Sequence, residues 1–334
     1  MQDFDVTTDF TDIAIGDYGQ LLPEKNPNLA ALIDADTIAF NACLAVETEE
    51  VVTADMIDID TVTIDGEQKL LTIELWNELT GYDTTIDTVS VYSSLGVDAA
   101  VSEAVNKINR IIDLTGCGAG AELHFSVGRI HFRYMLTPDY KSKRKTTRYP
   151  LYLTEVKEAL TKLYEGSFCH SAWEADDAVV FKKRFWPSKY ILCALDKDVY
   201  NSLEGTHFNY FESQKFNKQM GFITTTKEQA AIWPYMQAIC GDTSDSIQGC
   251  PGIGPKKALK FINESMNELE LWEGTLRAYR SVGLTAYDAI QAIRLVKMTQ
   301  LWPMETNAEI SKDFFNAQLK LWSPSEVGDH YDYE

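Results

Sequence analysis

The stretch "SFCHSAWEADDAVVFKKRFWPSKYILCALDKD", residues 167–198, holds the pattern on which the fold turns. A short β-prone run, "SFCHSA", precedes an acidic start at Glu174, and the apolar residues Ala178, Val179, Val180 and Phe181 continue it as a helix. After Pro187 comes a second apolar run, "YILCAL", which ends in "DKD", Asp196 to Asp198. Helical spacing at about 152–165 precedes the stretch, so the order is αβαβ. That alternation predicts an α/β protein with a mainly parallel sheet flanked by helices. In such sheets ligands collect beyond the carboxyl ends of the strands.

The same stretch poses a chemical question, because Glu174, Asp176 and Asp177 crowd together just before a core-facing run. One answer is local: acids in the first turn of a helix meet the positive end of its dipole, each gaining a few tenths to about 1 kcal/mol. The other is a bound divalent cation, since carboxylates a few ångströms apart repel unless one is protonated or a metal neutralises them.

Working outward, "NLAALIDADTIAFNA" starts as a buried strand, Leu29 to Ile33, with Asp34 at its carboxyl end and a helix from Thr37. "ELHFSV" at 122–127 reads as a further strand, after a helical pattern over 98–115 that "GCGAGA" breaks. Asp34, Asp196 and Asp198 thus fall at strand ends, and Glu174 opens the helix after another, so these acids converge on one edge. Residues 47–100 alternate apolar and polar positions around an Asp65-Gly66 turn and read as a hairpin-like insertion without chemistry of its own.

Beyond Trp233 the pattern is mostly helical and contains "CGDTSDSIQGCPGIGPKKALKFI", residues 240–262. Asp242 and Asp245 are spaced to point the same way from one helical turn or a tight loop. Gly252, Gly254 and Pro255 form a tight turn onto a helix start, where free N–H groups could hold a phosphate beside Lys256 and Lys257, or simply join two helices.

With 334 residues, 45% of them hydrophobic, the chain can bury a sizeable core in one large domain or two coupled ones. It shows no run of 18 apolar residues, and its start is acidic where a signal peptide is basic, so a soluble, cytoplasmic protein without membrane contact is expected. The six cysteines lack Cys-x-x-Cys pairs and read as reduced thiols, with no zinc site. A net charge of −20 argues at first against a nucleic-acid partner. Yet residues 1–100 carry 21 acids and two bases, while residues 101–334 carry 29 acids and 28 bases. In that near-neutral remainder "YKSKRKTTRY" places Lys141, Lys143, Arg144, Lys145 and Arg148 between Tyr140 and Tyr149, either a solvated face or a nucleic-acid contact.

Taken in order, "LIDADTIAF", "FRYMLTPDYKSKR", "WEADDAVV", "ALDKDVY" and "GDTSDSIQGCPGIGPKKA" resemble the flap endonuclease and 5′-to-3′ exonuclease superfamily, especially the short phage replication exonucleases. The resemblance covers most of residues 29–262. It implies an acidic extension at 1–28, a PIN-like nuclease domain at 29–225 with the insertion at about 47–100 and a basic gateway at about 133–150, and a helical helix-three-turn-helix DNA-binding region at 226–334. Two divalent cations, Mg²⁺ or Mn²⁺, are implied. Asp34 and Glu174 would hold the first and Asp176 would lie between the two. Asp196, Asp198 and Asp242 would hold the second, with Asp177 and Asp245 close by. An all-acid set without histidine or cysteine suits such hard cations.

The resemblance also places Lys141 and Arg144 in the gateway against the scissile phosphodiester, Arg133 on a nearby phosphate, Lys143 on DNA and Tyr140 on a base. It leaves room for a monovalent cation at the Gly252–Gly254 turn. The implied substrate is DNA with a 5′ end, nick or flap, cut by a monomer that works beside a replication polymerase or a single-strand-binding protein, in the host cytoplasm if the source is viral. One departure stands out: Val127 or its neighbours occupy a position where many relatives carry a further aspartate for the first metal, which shifts weight to Glu174 and Asp36. Two other readings compete. "DADTI" fits a haloacid dehalogenase-type phosphatase with Asp34 as nucleophile and Asp36 as acid/base, though it gives "WEADD" and "DKD" no role. A DNA-binding module of the same fold with weakened catalysis is the other.

Overall fold

The structure is a computed structural model that describes residues 23–53, 61–64, 67–70, 78, 81, 88–128, 131–142, 148–212, 219–298, 300–303 and 317–333. The chain runs β1 (Ala30–Asp34), α1 (Asp36–Ala45), β2 (Glu47–Thr53), β3 (Thr61–Ile64), β4 (Glu67–Leu70), β5 (Thr88–Ser94), α2 (Val97–Thr115), β6 (Ala121–Ser126), α3 (Phe132–Leu136), α4 (Leu153–Leu163), β7 (Phe168–His170) and α5 (Ala175–Phe185). It continues through β8 (Tyr190–Ala194), α6 (Lys197–Asn201), β9 (Gly205–Asn209), β10 (Gly221–Thr225), α7 (Lys227–Cys240), α8 (Pro255–Ala258), α9 (Glu268–Ser281), α10 (Ala286–Val296), β11 (Leu301–Pro303) and β12 (Ala317–Leu319).

Six strands form one sheet in the order β10-β9-β8-β1-β6-β7, parallel throughout except for the antiparallel edge strand β10. The fully buried run of β1 is what a central strand covered on both faces requires. On one face Ile38, Ala42, Ala104, Ile108, Val156 and Leu160 bring α1, α2 and α4 onto the sheet. On the other, Val179, Val180 and Val199 of α5 and α6 pack against Leu32 and Leu192. The β9–β10 hairpin, absent from the sequence reading, completes one edge.

The insertion is a ribbon: β2 and β5 pair antiparallel from Glu47↔Ser94 to Thr53↔Thr88, and β3 and β4 form a second pair. The Asp65-Gly66 turn and most of the acidic N-terminal extension, residues 1–22, lie outside the described residues. No described helix is long and apolar enough to cross a membrane. All six cysteines are free thiols.

The C-terminal helices build their own core around Tyr235, Ile239, Trp272, Tyr279 and Ile293, with Tyr140 reaching in from the other half. Each of α7, α9 and α10 starts on a reciprocal capping box, Thr226 with Gln229, Asn267 with Glu270 and Thr285 with Asp288, which satisfies first-turn N–H groups. Within α9, Gly274 lets the chain at Phe261 approach so closely that a Cβ there would lie 2.3 Å from the Phe261 carbonyl oxygen. Gly274→Ala stabilises an ordinary helix interior by about 1 kcal/mol. Here the backbone clash is expected to reverse the sign and lower stability by about 2 kcal/mol or more. Urea unfolding checks this, and a raised midpoint refutes the close approach.

Candidate active site

Four separated segments deliver acids to the carboxyl edge of the sheet. Asp34 is the last residue of β1. Asp196, two residues beyond β8, caps α6 and accepts the Asp198 N–H at 2.9 Å. Glu174 and Asp176 come from the first turn of α5. Asp242 and Asp245 lie on the loop after α7, which folds back through the Asp242–Ile247 backbone pair at 2.9 and 2.8 Å. Its stem needs glycine, since a Cβ on Gly249 would sit 2.2 Å from the Gly241 nitrogen. The Asp242 Oδ1 accepts from Ser244 N at 2.7 Å, Ser244 Oγ at 2.5 Å and Asp245 N at 3.2 Å.

Glu174, Asp176, Asp196, Asp198, Asp242 and Asp245 line one narrow cleft of about 20 Å³. Asp34 joins it through a hydrogen bond between its carboxyl group and that of Asp176. Crowding and burial act together on these groups. Burial, then Asp36, pushes Asp34 up to about 7, and burial, then Asp196, pushes Asp198 up to about 8. Asp176 is raised well above the carboxylate range by burial and by Asp34 and Glu174. Glu174 goes the other way: against its burial, Lys141, Arg133 and His131 hold its carboxyl far below the usual value.

As the side chains stand, no group of three or more histidines, cysteines or acids among the described residues is arranged to hold a metal ion. Glu174 directs its oxygens to Lys141, Arg133 and Tyr140 instead, and Asp34 to Asp176. The donor set nevertheless fits a hard cation: it is all oxygen, and the buried Asp198 Oδ1 has no hydrogen-bond partner.

Four expected roles change. Asp177 is 1% exposed and gives both oxygens to Arg133, Oδ2 at 2.6 Å from Nη1 and Oδ1 at 2.8 Å from Nη2, while Oδ2 also accepts the Glu174 N–H at 3.2 Å. It is therefore a capping and clamping residue; of the three crowded acids, only Glu174 and Asp176 face the cleft. Arg133, 2% exposed and bonded in addition to the Leu295 carbonyl at 2.7 Å, cannot reach a phosphate. Tyr140 is buried with its hydroxyl 2.9 Å from Glu174 Oε2 and 3.1 Å from Asp245 Oδ2, so it offers no face to a base. Asp36, expected to support a first metal or act as an acid/base, is held instead by Lys157 Nζ at 2.6 Å and the Ser126 N–H at 3.1 Å.

Lys141 does reach the cluster, on Glu174 and 3.8 Å from Asp245, from a left-handed backbone with φ 50°. Lys143 and Arg144 lie outside the described residues. Gly252 and Gly254, on the turn before the four-residue α8, and Lys256 and Lys257 within it are exposed, and Lys257 Nζ donates to the Gly252 carbonyl at 2.7 Å. A monovalent cation there would compete with that ammonium. Val127 is 39% exposed just past β6, with no carboxylate at that strand end.

Sequence reasoning missed the layer behind these acids. Trp173 Nε1 donates to His170 Nδ1 at 3.1 Å, so the neutral His170 carries its proton on Nε2 and donates to His124 Nδ1 at 2.7 Å. His124 Nε2 then donates to Glu122 Oε1 at 3.1 Å. Burial pushes His170 down to about 2 and His124 to about 3, so this chain of imidazoles stays uncharged beneath the start of α5.

No family model matches the chain. It is 30% identical over 142 residues to flap endonuclease Xni of Shewanella baltica, across 40% of this chain and 53% of that protein. It is 29% identical over 157 residues to the exodeoxyribonuclease of Enterobacteria phage T3, across 45% of this chain and 49% of that one. The chain thus spans about half the length of the curated relatives it matches. Its fold is that of the T5 5′-exonuclease, solved with divalent metal ions (zinc) bound, at TM-score 0.51 and 15% identity over 81% of this chain and 90% of that one.

The raised carboxyls have a measurable consequence. Asp34 and Asp198 bind protons in the folded chain at a pH where unfolded carboxyls, near about 4, have lost them. Their contribution to stability is complete below about pH 4 and is lost as pH rises through about 7 and 8, whereas that of Glu174 is present above about pH 4 and lost in acid. In EDTA, Tm is expected to fall by several degrees from about pH 5.5 to about pH 8.5, and Mg²⁺ is expected to restore it at the upper end. A Tm flat over that range in EDTA refutes the like-charge cluster.

Proposed function

We propose that this chain is a divalent-metal-dependent phosphodiesterase that hydrolyses DNA from 5′ ends, nicks or flaps, beside a replication polymerase or single-strand-binding protein. The observation that carries the reading is the convergence of acids from four separated segments on one cleft at the carboxyl edge of a parallel sheet. The likeness to a flap endonuclease and a phage exodeoxyribonuclease supports it.

Asp34, Glu174 and Asp176 would hold a first Mg²⁺ or Mn²⁺, and Asp196, Asp198 and Asp242 a second, with Asp245 alongside. Such a pair supplies an activated water and stabilises the departing 3′ oxygen. Lys141 would leave Glu174 for a phosphodiester oxygen; its contact with Glu174 beside the acid cleft supports that role. From the resemblance, Lys143 and Arg144 extend that charge. Arg133 and Asp177 act on the protein side, by orienting Glu174. Gly252, Gly254, Lys256 and Lys257 would grip duplex phosphates without reading sequence, as a helix-three-turn-helix does. The exposed Val127 favours one second reading, a DNA-binding module with weakened catalysis.

A 5′-labelled flap or nicked duplex incubated with Mg²⁺, then with EDTA, separates the readings. Release of nucleotides in Mg²⁺ alone is expected, and binding without cleavage would favour the module. Asp198→Asn is expected to lower kcat roughly a hundredfold or more while DNA affinity changes little, because the lost interaction acts on the transition state. Wild-type turnover by that variant would remove the acid cluster from the chemistry. Lys256→Ala combined with Lys257→Ala is expected to weaken duplex binding for all sequences alike and to flatten its salt dependence by up to about two units of slope. An unchanged slope would take the turn off the DNA.

A further inference from the structure

The basic stretch between Tyr140 and Tyr149 is fastened at both ends, and the far fastening uses groups to which the proposed chemistry gives no role. At the near end the Lys141 N–H donates to the Asp245 carbonyl at 2.8 Å, and the Ser142 and Ser246 hydroxyls are 3.1 Å apart. At the far end the Arg148 guanidinium lies 3.6 Å from the centre of the Tyr92 ring and donates to Glu47 Oε2 at 2.5 Å. The other carboxylate oxygen, Glu47 Oε1, accepts the Leu151 N–H. The Tyr92 hydroxyl in turn donates to Glu49 at 2.9 Å, which holds the ring in place. Glu47 and Tyr92 belong to the two strands of the insertion ribbon.

The Glu47 side chain is 4% exposed although it stands on a ribbon rich in solvated acids, while Arg148 is 38% exposed. A carboxylate with one oxygen on a guanidinium N–H and the other on a backbone N–H has a fixed direction. A half-exposed pair of this kind adds little to global stability. Its effect is local: it fixes the place of Arg148, while Lys141 and Ser142 are tied to the acid-bearing loop.

We propose that the β2–β5 ribbon is the outer anchor of the basic segment and that Glu47 is its positioning residue, acting through Arg148. Its consequence for cleavage rests on the nuclease reading. The anchor itself does not.

Limited trypsin digestion in EDTA tests the anchor, since Lys141, Lys143, Arg144 and Lys145 are cleavage sites within the segment. Glu47→Ala is expected to speed the first cut there about tenfold with Tm shifted by no more than a few degrees, and Glu47→Gln, which keeps an acceptor of the same reach, is expected to restore most of the protection. An unchanged cutting rate in Glu47→Ala overturns the proposal.

Cleavage of a 5′-flap duplex in Mg²⁺ gives the second arm. Glu47→Ala is expected to lower kcat about tenfold with KM within twofold, because a misplaced positioning group costs rate at saturation. The double variant with Arg148→Ala is expected to match Arg148→Ala alone. Losses that multiply instead overturn the route through Arg148. A wild-type protein that fails to cleave sinks the nuclease reading, while the digestion still decides the anchor.

Discussion

The Arg133 guanidinium is the interaction on which the arrangement of this molecule depends. Buried to 2% exposure, it joins α3 to Asp177 and Glu174 at the start of α5 and to the Leu295 carbonyl near the end of α10. Against its burial, Asp177 and Glu174 keep it charged. Such a buried fork contributes less net stability than its contacts suggest, because desolvation offsets the attraction, but removing one partner strands the others and costs about 3–5 kcal/mol. Its value is geometric. It sets the first turn of α5 against the C-terminal helices, and that turn carries Glu174 and Asp176.

A chain with a net charge of −20 must decide which of its acids are neutralised by protein and which are left facing one another. Asp34 and Asp36, two residues apart, meet opposite fates. Asp36 is paired with Lys157 and the Ser126 N–H, whereas Asp34 meets Asp176 and is pushed up by burial and by its neighbours. Asp177 and Asp176, adjacent in sequence, divide in the same way around Arg133. The cleft is therefore defined as much by the cations that stay away from it as by the acids that enter. Lys141 and Arg133 are the exceptions among the described residues, both drawn onto Glu174.

The parallel sheet was legible because strand and helix alternate with clear periodicity from Leu153 to Ala194, and the acids at strand ends then followed from topology. The edge hairpin β9–β10 was not, since "GTHFN" and "GFITT" are short and mixed in character. The crowd at Glu174, Asp176 and Asp177 was ambiguous for a physical reason: capping and cation binding ask for the same residue type in the same turn, and here both occur in adjacent residues. What separates them is the direction of each side chain relative to Arg133, a partner 44 positions earlier that no local pattern reveals. The Tyr140 hydroxyl, Lys157 and the His170–His124 pair were invisible for the same reason, being polar groups whose partners are set by tertiary packing.

The separate hydrophobic cores of the sheet and of the C-terminal helices do not make independent working parts. The sheet half supplies Asp34, Glu174, Asp176, Asp196 and Asp198, and the C-terminal half supplies Asp242, Asp245 and the carbonyl that seats Arg133. Tyr140 belongs to the sheet half in sequence, packs in the C-terminal core and hydrogen-bonds across the junction to both Glu174 and Asp245. The junction is thus where the site is assembled. A chain cut after β10 would lose two acids of the cleft and the backbone acceptor that orients a third, so the site exists only where the two halves dock.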